Sequence, residues 1–477
     1  MKRKLILTAL SFNLLILSAS AQQKWNLRTA VDYALANNIS VKQQDVQARI
    51  AELTLRQSKL SQYPSLNLNG NVGYSSGRNQ DPTTFGLTTI GYVFNQFSLQ
   101  SNADVFNFFS KRNTIAGNDL EAKAANAAVE KLKNDIALNV AGYYLQILLN
   151  NEAVKLNEAK IELTKAQLFN TRKLVEAGSQ PELNAAQLEA QLAVDSSNLI
   201  TAQGVVIQST LALKALMNVD AALPFVIETP PIESIPVETL AELAPDLVFR
   251  LALANLPQQR VNDFRVKAAQ KYVQAAKGAM YPTFSVFGSL GSTYNNRAQE
   301  IVGVTTFTAP IGKVTVSGTD YTVFPLQPFS DPSFAKSSYF RQLDQNFRQS
   351  VGLSVSVPIL NGGSLRTQYD RSKLNLQSAQ LQLDLDQQTL KQDIYRAHAD
   401  ALTAMQKFTA ANKSVQTNQI AYDYASKRYE VGLLNPIDLI IAQNNLFTAQ
   451  INRVSAQFEY VFKMKVLEFY KGQGIKL

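Results

Sequence analysis

The fold class this sequence predicts is mainly α with a small β part, built from a duplicated helix-strand-strand-long helix-helix unit. Three observations predict it. Segments recur at fixed offsets along the chain, four short stretches alternate apolar and polar residues, and apolar residues fall at strict seven-residue steps through long segments without proline.

The duplication comes first. Ala34-Leu35-Ala36-Asn37 recurs as Ala252-Leu253-Ala254-Asn255, an offset of 218 that also carries Lys59 to Lys277, Tyr63-Pro64 to Tyr281-Pro282, Gly70 to Gly288 and Gly73 to Gly291. Further on, Phe106-Asn107 matches Leu360-Asn361 and Gly178 matches Gly432, at an offset of 254. The second half therefore carries 36 extra residues, placed within 295–349. The expected division is a first repeat over 22–218, a connector over 219–251 containing Pro224, Pro230, Pro231, Pro236 and Pro245, and a second repeat over 252–477.

The strands are read from alternation. Leu66, Leu68, Val72 and Tyr74 oppose Asn67, Asn69 and Asn71; Phe97, Leu99, Ala103 and Val105 oppose Ser98, Gln100, Asn102 and Asp104. Phe284, Val286 and Leu290 continue the pattern less strictly, and Val351, Leu353, Val355 and Val357 oppose Gly352, Ser354 and Ser356. Period two sends these sets to opposite faces. The predicted spans are about 65–76, 95–106, 283–294 and 349–360, with loops over 75–96 and 295–349. Runs of roughly 9–11 residues cross a bilayer when tilted. Alternation fits a soluble sheet with one face on a core equally well. Tyr63, Tyr74, Tyr92, Phe94, Phe97, Phe106, Phe108 and Phe109 flank the strands as an interfacial girdle would, or as core packing would.

The helical segments span about 107–218 and 361–470. Val140, Ile147, Val154, Ile161, Leu168 and Val175 stand seven apart, and the offset of 254 maps them onto Ile394, Ala401, Phe408, Val415, Tyr422 and Tyr429. A sustained seven-residue period marks left-handed coiled-coil packing. A proline-free helix of about 65 residues would be roughly 100 Å long. Each long helix meets a turn, Gly178-Ser179-Gln180-Pro181-Glu182 and Gly432-Leu433-Leu434-Asn435-Pro436-Ile437-Asp438. Glycine supplies the left-handed residue that closes a helix, proline fits the first turn of the next, and Asn435 is a natural N-cap. Glu182 and Asp438 in first turns read as caps of positive helix ends on this ground alone.

Composition limits the chemistry. The 477 residues include no Cys, one His and five Met. That excludes disulfides, thiol nucleophiles, iron–sulfur clusters and multi-His metal sites. No enzyme, cofactor or metal is predicted, and His398 reads as an ordinary helix residue. Lys2, Arg3 and Lys4, the apolar run Leu5 to Leu17 and Ala19-Ser20-Ala21 form a signal peptide over 1–21, too short to serve as an anchor. Its loss takes the formal charge from +9 to +6, and no Lys/Arg cluster with interleaved aromatics remains, so nucleic acid is not an expected partner. The mature chain would begin at Gln22 and, lacking Cys, would not be lipid-anchored. Four strands are too few to close a membrane barrel, and an open edge is not tolerated in lipid, so several chains would pool their strands; two or three copies fit equally.

The duplicated order, the Pro358-Ile359-Leu360-Asn361-Gly362-Gly363 run after the fourth strand, and Arg428-Tyr429-Glu430-Val431-Gly432 followed by Asp438-Leu439 resemble the TolC-type outer-membrane efflux proteins. The resemblance covers essentially the whole mature chain. It implies a homotrimer with a twelve-stranded β-barrel in the outer membrane of a Gram-negative bacterium and a long periplasmic α-barrel. It implies a passive exit duct of a tripartite efflux or type I secretion system, with a periplasmic adaptor and an inner-membrane pump of RND, ABC or MFS type as partners. Carried over residue by residue, Asp438 matches an acidic aperture ring, and Glu182 matches an acid that pairs with the tyrosine at Tyr429. Leu434 and Ile441 fall where the family has an arginine link and a second acidic ring. Gly178, Pro181, Gly432 and Pro436 mark the turns on which the adaptor would dock. By residue pattern alone, Tyr429 also reads as a coiled-coil core residue. A periplasmic coiled-coil adaptor or a structural protein of the envelope is the alternative function, though it leaves the duplicated four-strand pattern unexplained.

Overall fold

A computed structural model of the chain describes residues 24–80, 85–232 and 235–472, so the expected signal peptide lies outside the described residues. Chain order begins with α1 (Leu27–Asn37), α2 (Ile39–Leu60), β1 (Ser65–Gln80), β2 (Leu87–Phe106), α3 (Ser110–Glu176) and α4 (Glu182–Met217). The second half runs α5 (Pro245–Asn255), α6 (Pro257–Gly278), β3 (Thr283–Asn295), then β4 (Gln299–Phe307), β5 (Gly312–Val316), β6 (Thr319–Val323), β7 (Phe329–Lys336) and α7 (Tyr339–Gln345), and closes with β8 (Arg348–Ser356), α8 (Ser364–Glu430) and α9 (Pro436–Tyr470). The duplication holds almost to the residue. The offset of 218 carries both ends of α1 onto α5 and of α2 onto α6, and the offset of 254 carries both ends of α3 onto α8.

The described chain divides into two compact units, one holding residues up to Leu55, Gly117–Gln270 and Leu374 onward, the other Arg56–Ala116 and Lys271–Lys373. In the second, β1, β2, β3 and β8 form one antiparallel sheet in that order. Its register places Leu68 opposite Leu99, Leu99 opposite Leu290 and Val286 opposite Leu353, so the apolar sets of all four strands share a face. That face does not pack on a core: Val72 is 75% exposed, and Val351 and Leu353 are each 82% exposed.

β1 and β2 outrun their expected spans because the ladder continues from Ser65–Asn102 to Gln80–Leu87. Backbone pairing needs no apolar alternation. β8 stops at Ser356, short of the expected 360, since Pro358 has no N–H to donate. The loop expected over 295–349 instead holds the hairpins β4–β7 and β5–β6 and the helix α7.

The other unit is helical. Its largest core gathers Leu27, Ala30 and Ala34 of α1, Val140, Tyr144, Ile147 and Leu148 of α3, Leu213 and Met217 of α4, and Phe458 and Val461 of α9. The segment before α1 and the connector meet there through a parallel bridge between Trp25 and Ile227, with Trp25 stacked on Phe225 at 5.2 Å. The Tyr144 hydroxyl donates to Glu228 O at 2.5 Å, and burial, followed by the Glu228 charge, pushes its pKa up to about 12. The phenol thus stays a donor and ties the connector to the long helix.

Candidate functional site

The two helix–helix turns end their first helices alike. Gly178 and Gly432 adopt φ of +72° and +76°, the left-handed conformation that only glycine takes without strain. Ser179 N–H bonds Leu174 O and Gly178 N–H bonds Val175 O; Leu433 N–H bonds Arg428 O and Gly432 N–H bonds Tyr429 O. Both sets are the paired six-to-one and five-to-two bonds of a Schellman closure, which satisfies carbonyls a helix end leaves open. The helices that follow begin differently. Asn435 accepts from Asp438 N–H at 2.9 Å, with Pro436 in the first turn and buried. Pro181, expected in the first turn of α4, is instead its N-cap residue and offers no side-chain acceptor.

Around these turns the expected site residues separate into two groups. Tyr429 is 6% exposed, its hydroxyl 2.6 Å from Thr171 Oγ1 and donating to Gln180 Oε1 at 3.3 Å. Thr171 Oγ1 also donates to Gln167 O, and Gln167 Nε2 donates to the Tyr422 hydroxyl at 3.1 Å. Burial pushes the Tyr422 phenol up, so it stays protonated. Glu182 is exposed, and no hydrogen bond joins it to Tyr429 among the described residues. Within the protomer the Tyr429 hydroxyl sits between Thr171 and Gln180. Asp438 and Ile441 are exposed, as is Leu433, while Leu434 is half-buried. A cavity of about 360 Å³ lies beside Tyr429, bounded by Gln167, Lys173, Ser426, Glu430 and Leu439.

A second polar cluster sits deeper. Asp195 is 1% exposed and accepts from Lys160 Nζ at 2.8 Å, Thr164 Oγ1 at 2.9 Å and Gln191 Nε2 at 2.7 Å. Gln443 Nε2 donates to Thr164 Oγ1 at 3.1 Å, and Lys160 Nζ lies 4.6 Å from the Phe447 ring centre. A smaller apolar core of Leu168, Ala185 and Leu188, with Val175, Leu192 and Ile440 against it, fills the space between this cluster and the turns.

Sequence reasoning missed Thr171, Gln180, Gln167, Thr164, Asp195, Lys160 and Gln443. A signal was there for some of them. Thr164 and Thr171 stand seven apart, as do Leu188 and Asp195, and Gln443 lies seven after Pro436. These are polar residues on coiled-coil seams, where an uncharged apolar residue is the rule.

Comparison with known proteins places this geometry. The model of the outer membrane efflux protein family matches residues 30–219 and 248–463, one block for each repeat. The outer membrane efflux protein BepC of Brucella suis biovar 1 (strain 1330) is 23% identical over 461 residues, covering 96% of this chain and 88% of BepC. The outer membrane protein TolC of Escherichia coli (strain K12) is 21% identical over 454 residues, covering 93% and 81%. Among solved structures, CusC, described in terms of folding and transmembrane channel formation, superposes with a TM-score of 0.75 at 17% identity, covering 95% of this chain and 96% of CusC.

Proposed function

The chain belongs to the outer membrane efflux protein family and is an outer-membrane efflux channel, in a family of transport ducts; from that premise we propose that it is the exit duct of a tripartite system. Three protomers, each giving four strands, close a twelve-stranded barrel in the outer membrane, and their long helices form a periplasmic α-barrel. A periplasmic adaptor and an inner-membrane pump deliver the substrate, and the pump selects it.

The observation that carries this reading is the sheet. One face is apolar and open, with Leu66 68%, Leu68 74% and Val355 56% exposed, and β1 and β8 are its outer strands. Water disfavours so large an apolar surface, and lipid does not tolerate an open edge. Pooling strands removes both problems together. On α4, Val194, Ile200 and Ile207 are 53%, 69% and 62% exposed, a second apolar surface that neighbouring copies cover in a closed tube. Heat-modifiable trimer bands in outer-membrane fractions are the expected result; a soluble periplasmic monomer would overturn it.

The turns at Gly178 and Gly432 form the periplasmic mouth, with Pro181 and Pro436 beside them as the adaptor's docking tips. Leu433, Leu434 and Ile441 close it partly by apolar packing, while Glu182 and Asp438, six carboxylates in the trimer, draw cations. Asp438→Asn is expected to reduce cation preference in planar-bilayer currents, and an unchanged preference removes Asp438 from that role.

A further inference from the structure

We propose that Asp195, Lys160, Thr164 and Gln443 form a register pin, a second hold on the mouth set back from the turns. The inference rests on the channel reading, because a pin matters only if the helices must shift to open a passage. Thr164 precedes Gly178 by 14 residues, which is about 21 Å of helix.

The cluster unites three helices. Lys160 and Thr164 come from α3, Asp195 from α4 and Gln443 from α9. The first hairpin, α3 with α4, supplies the charge pair, and α9 reaches it through the hydrogen bond from Gln443 to Thr164 and through the Phe447 ring against Lys160. Thr164 is fully buried, Gln443 is 3% exposed, and the Gln443 amide oxygen has no partner among the described residues. A glutamine that leaves a buried carbonyl unpaired is not explained by stability, since such an atom loses its hydration without return.

Nor does the coiled coil need a charge pair here. The offset of 254 maps Asp195 onto Ala449, 4% exposed, and maps Lys160 and Thr164 onto Ser414 and Asn418. The corresponding positions of the other repeat thus carry no charge, with Ser414 exposed and Asn418 half-buried. A polar residue on a coiled-coil seam lowers stability and fixes register, because sliding one helix past another strands it among apolar neighbours. Displacing α9 along α3 breaks the Gln443–Thr164 bond and leaves the buried Gln443 amide without its acceptor. The pin thus opposes the displacement and sets how often the passage opens.

Threonine 164 permits a clean test. Thr164→Val keeps the side-chain shape and removes the hydroxyl; Thr164→Ser keeps the hydroxyl and removes a methyl group. The full-length channel is purified in detergent, checked for trimers on unheated gels and recorded in planar bilayers. Thr164→Val removes the bond to Asp195, which lies within the first hairpin, and the bond from Gln443, which ties α9 to it; loss of the latter is expected to raise the open probability on the order of tenfold, with Thr164→Ser near wild type. A packing role predicts the reverse order, and Thr164→Ser matching or exceeding Thr164→Val overturns the pin, as does wild-type behaviour of Thr164→Val. If Thr164→Val assembles no trimers, Gln443→Leu is read in its place, since it removes only the link from α9 and carries the same expectation. A wild-type protein that passes no current at all refutes the channel reading itself, and the pin with it.

Discussion

The helices α3 and α8 have 67 residues each and begin and end at positions related by one offset, yet their inner stripes are built differently. In α3 the stripe is aliphatic, with Val140 fully buried and Ile147 1%, Ile161 7% and Leu168 7% exposed. In α8 it starts with Ile394 and Ala401, both fully buried, and ends with Tyr422 and Tyr429. The two tyrosine hydroxyls meet Gln167, Thr171 and Gln180 of the first repeat. Duplication has kept what the backbone needs, namely length, turn glycines and seam, while side chains diverged until the halves became complementary. One repeat offers phenols and the other offers their partners.

The sharpest way to break the comparison is to exchange its residues. Ile147→Ala should cost about 2–5 kcal/mol in urea melts of the solubilised channel, because a closed core cannot refill the space. Its mate Ala401 fills a place where Ile does not fit, so Ala401→Ile should cost about 1–3 kcal/mol by overpacking. Equal and negligible effects would mean that the two stripes are interchangeable.

The turns give a smaller contrast. Asn435→Ala should cost about 1 kcal/mol by thermal melts, since Asp438 N–H loses its acceptor, whereas Pro181→Ala, which removes no cap bond, should be nearly neutral. Tyr429→Phe should cost about 0.5–1 kcal/mol and make the mouth open more readily in bilayer recordings. Tyr422→Phe, which removes the bond from Gln167, should do less on both counts.

The faintest contrast is electrostatic. Glu121 of α3 is half-buried, and burial raises its pKa above 4.5 despite the opposing charge of Arg265, while its mate Asn375 is neutral and exposed. A raised carboxyl pKa means that the folded protein binds the proton more tightly than the unfolded chain. This contribution is therefore full in acid, below 4.5, and is lost as pH rises through the raised value. Glu121→Gln should accordingly melt at a higher temperature than wild type at pH 7, and the gap should close below the ordinary carboxylate range. A gap that persists unchanged in acid would assign the effect to packing.

Much of the fold was legible in the chain. Strand faces followed from residues such as Leu66 and Asn67, the turns from Gly178 and Gly432, and the cap from Asn435. The mouth was legible only in part. Family likeness drew attention to Tyr429 and Glu182, but nothing near Tyr429 in the chain marks Thr171 and Gln180, which its phenol meets. Asp195 and Lys160 read in isolation as solvated, because nothing local marks a charged side chain whose partner lies 35 residues away on another helix.

What the sequence determined by itself is whatever depends on neighbours along the chain. Period two or seven selects strand or long helix, and a glycine able to adopt positive φ, followed by proline, selects a turn. Only the tertiary structure decided what each face meets. It left the apolar side of the sheet open where alternation alone allowed a core, and it brought Gln443 to Thr164 across 279 positions of chain. Dihedral preferences act within a few residues, whereas contacts between helices depend on their mutual rotation and register, which packing of the whole unit sets.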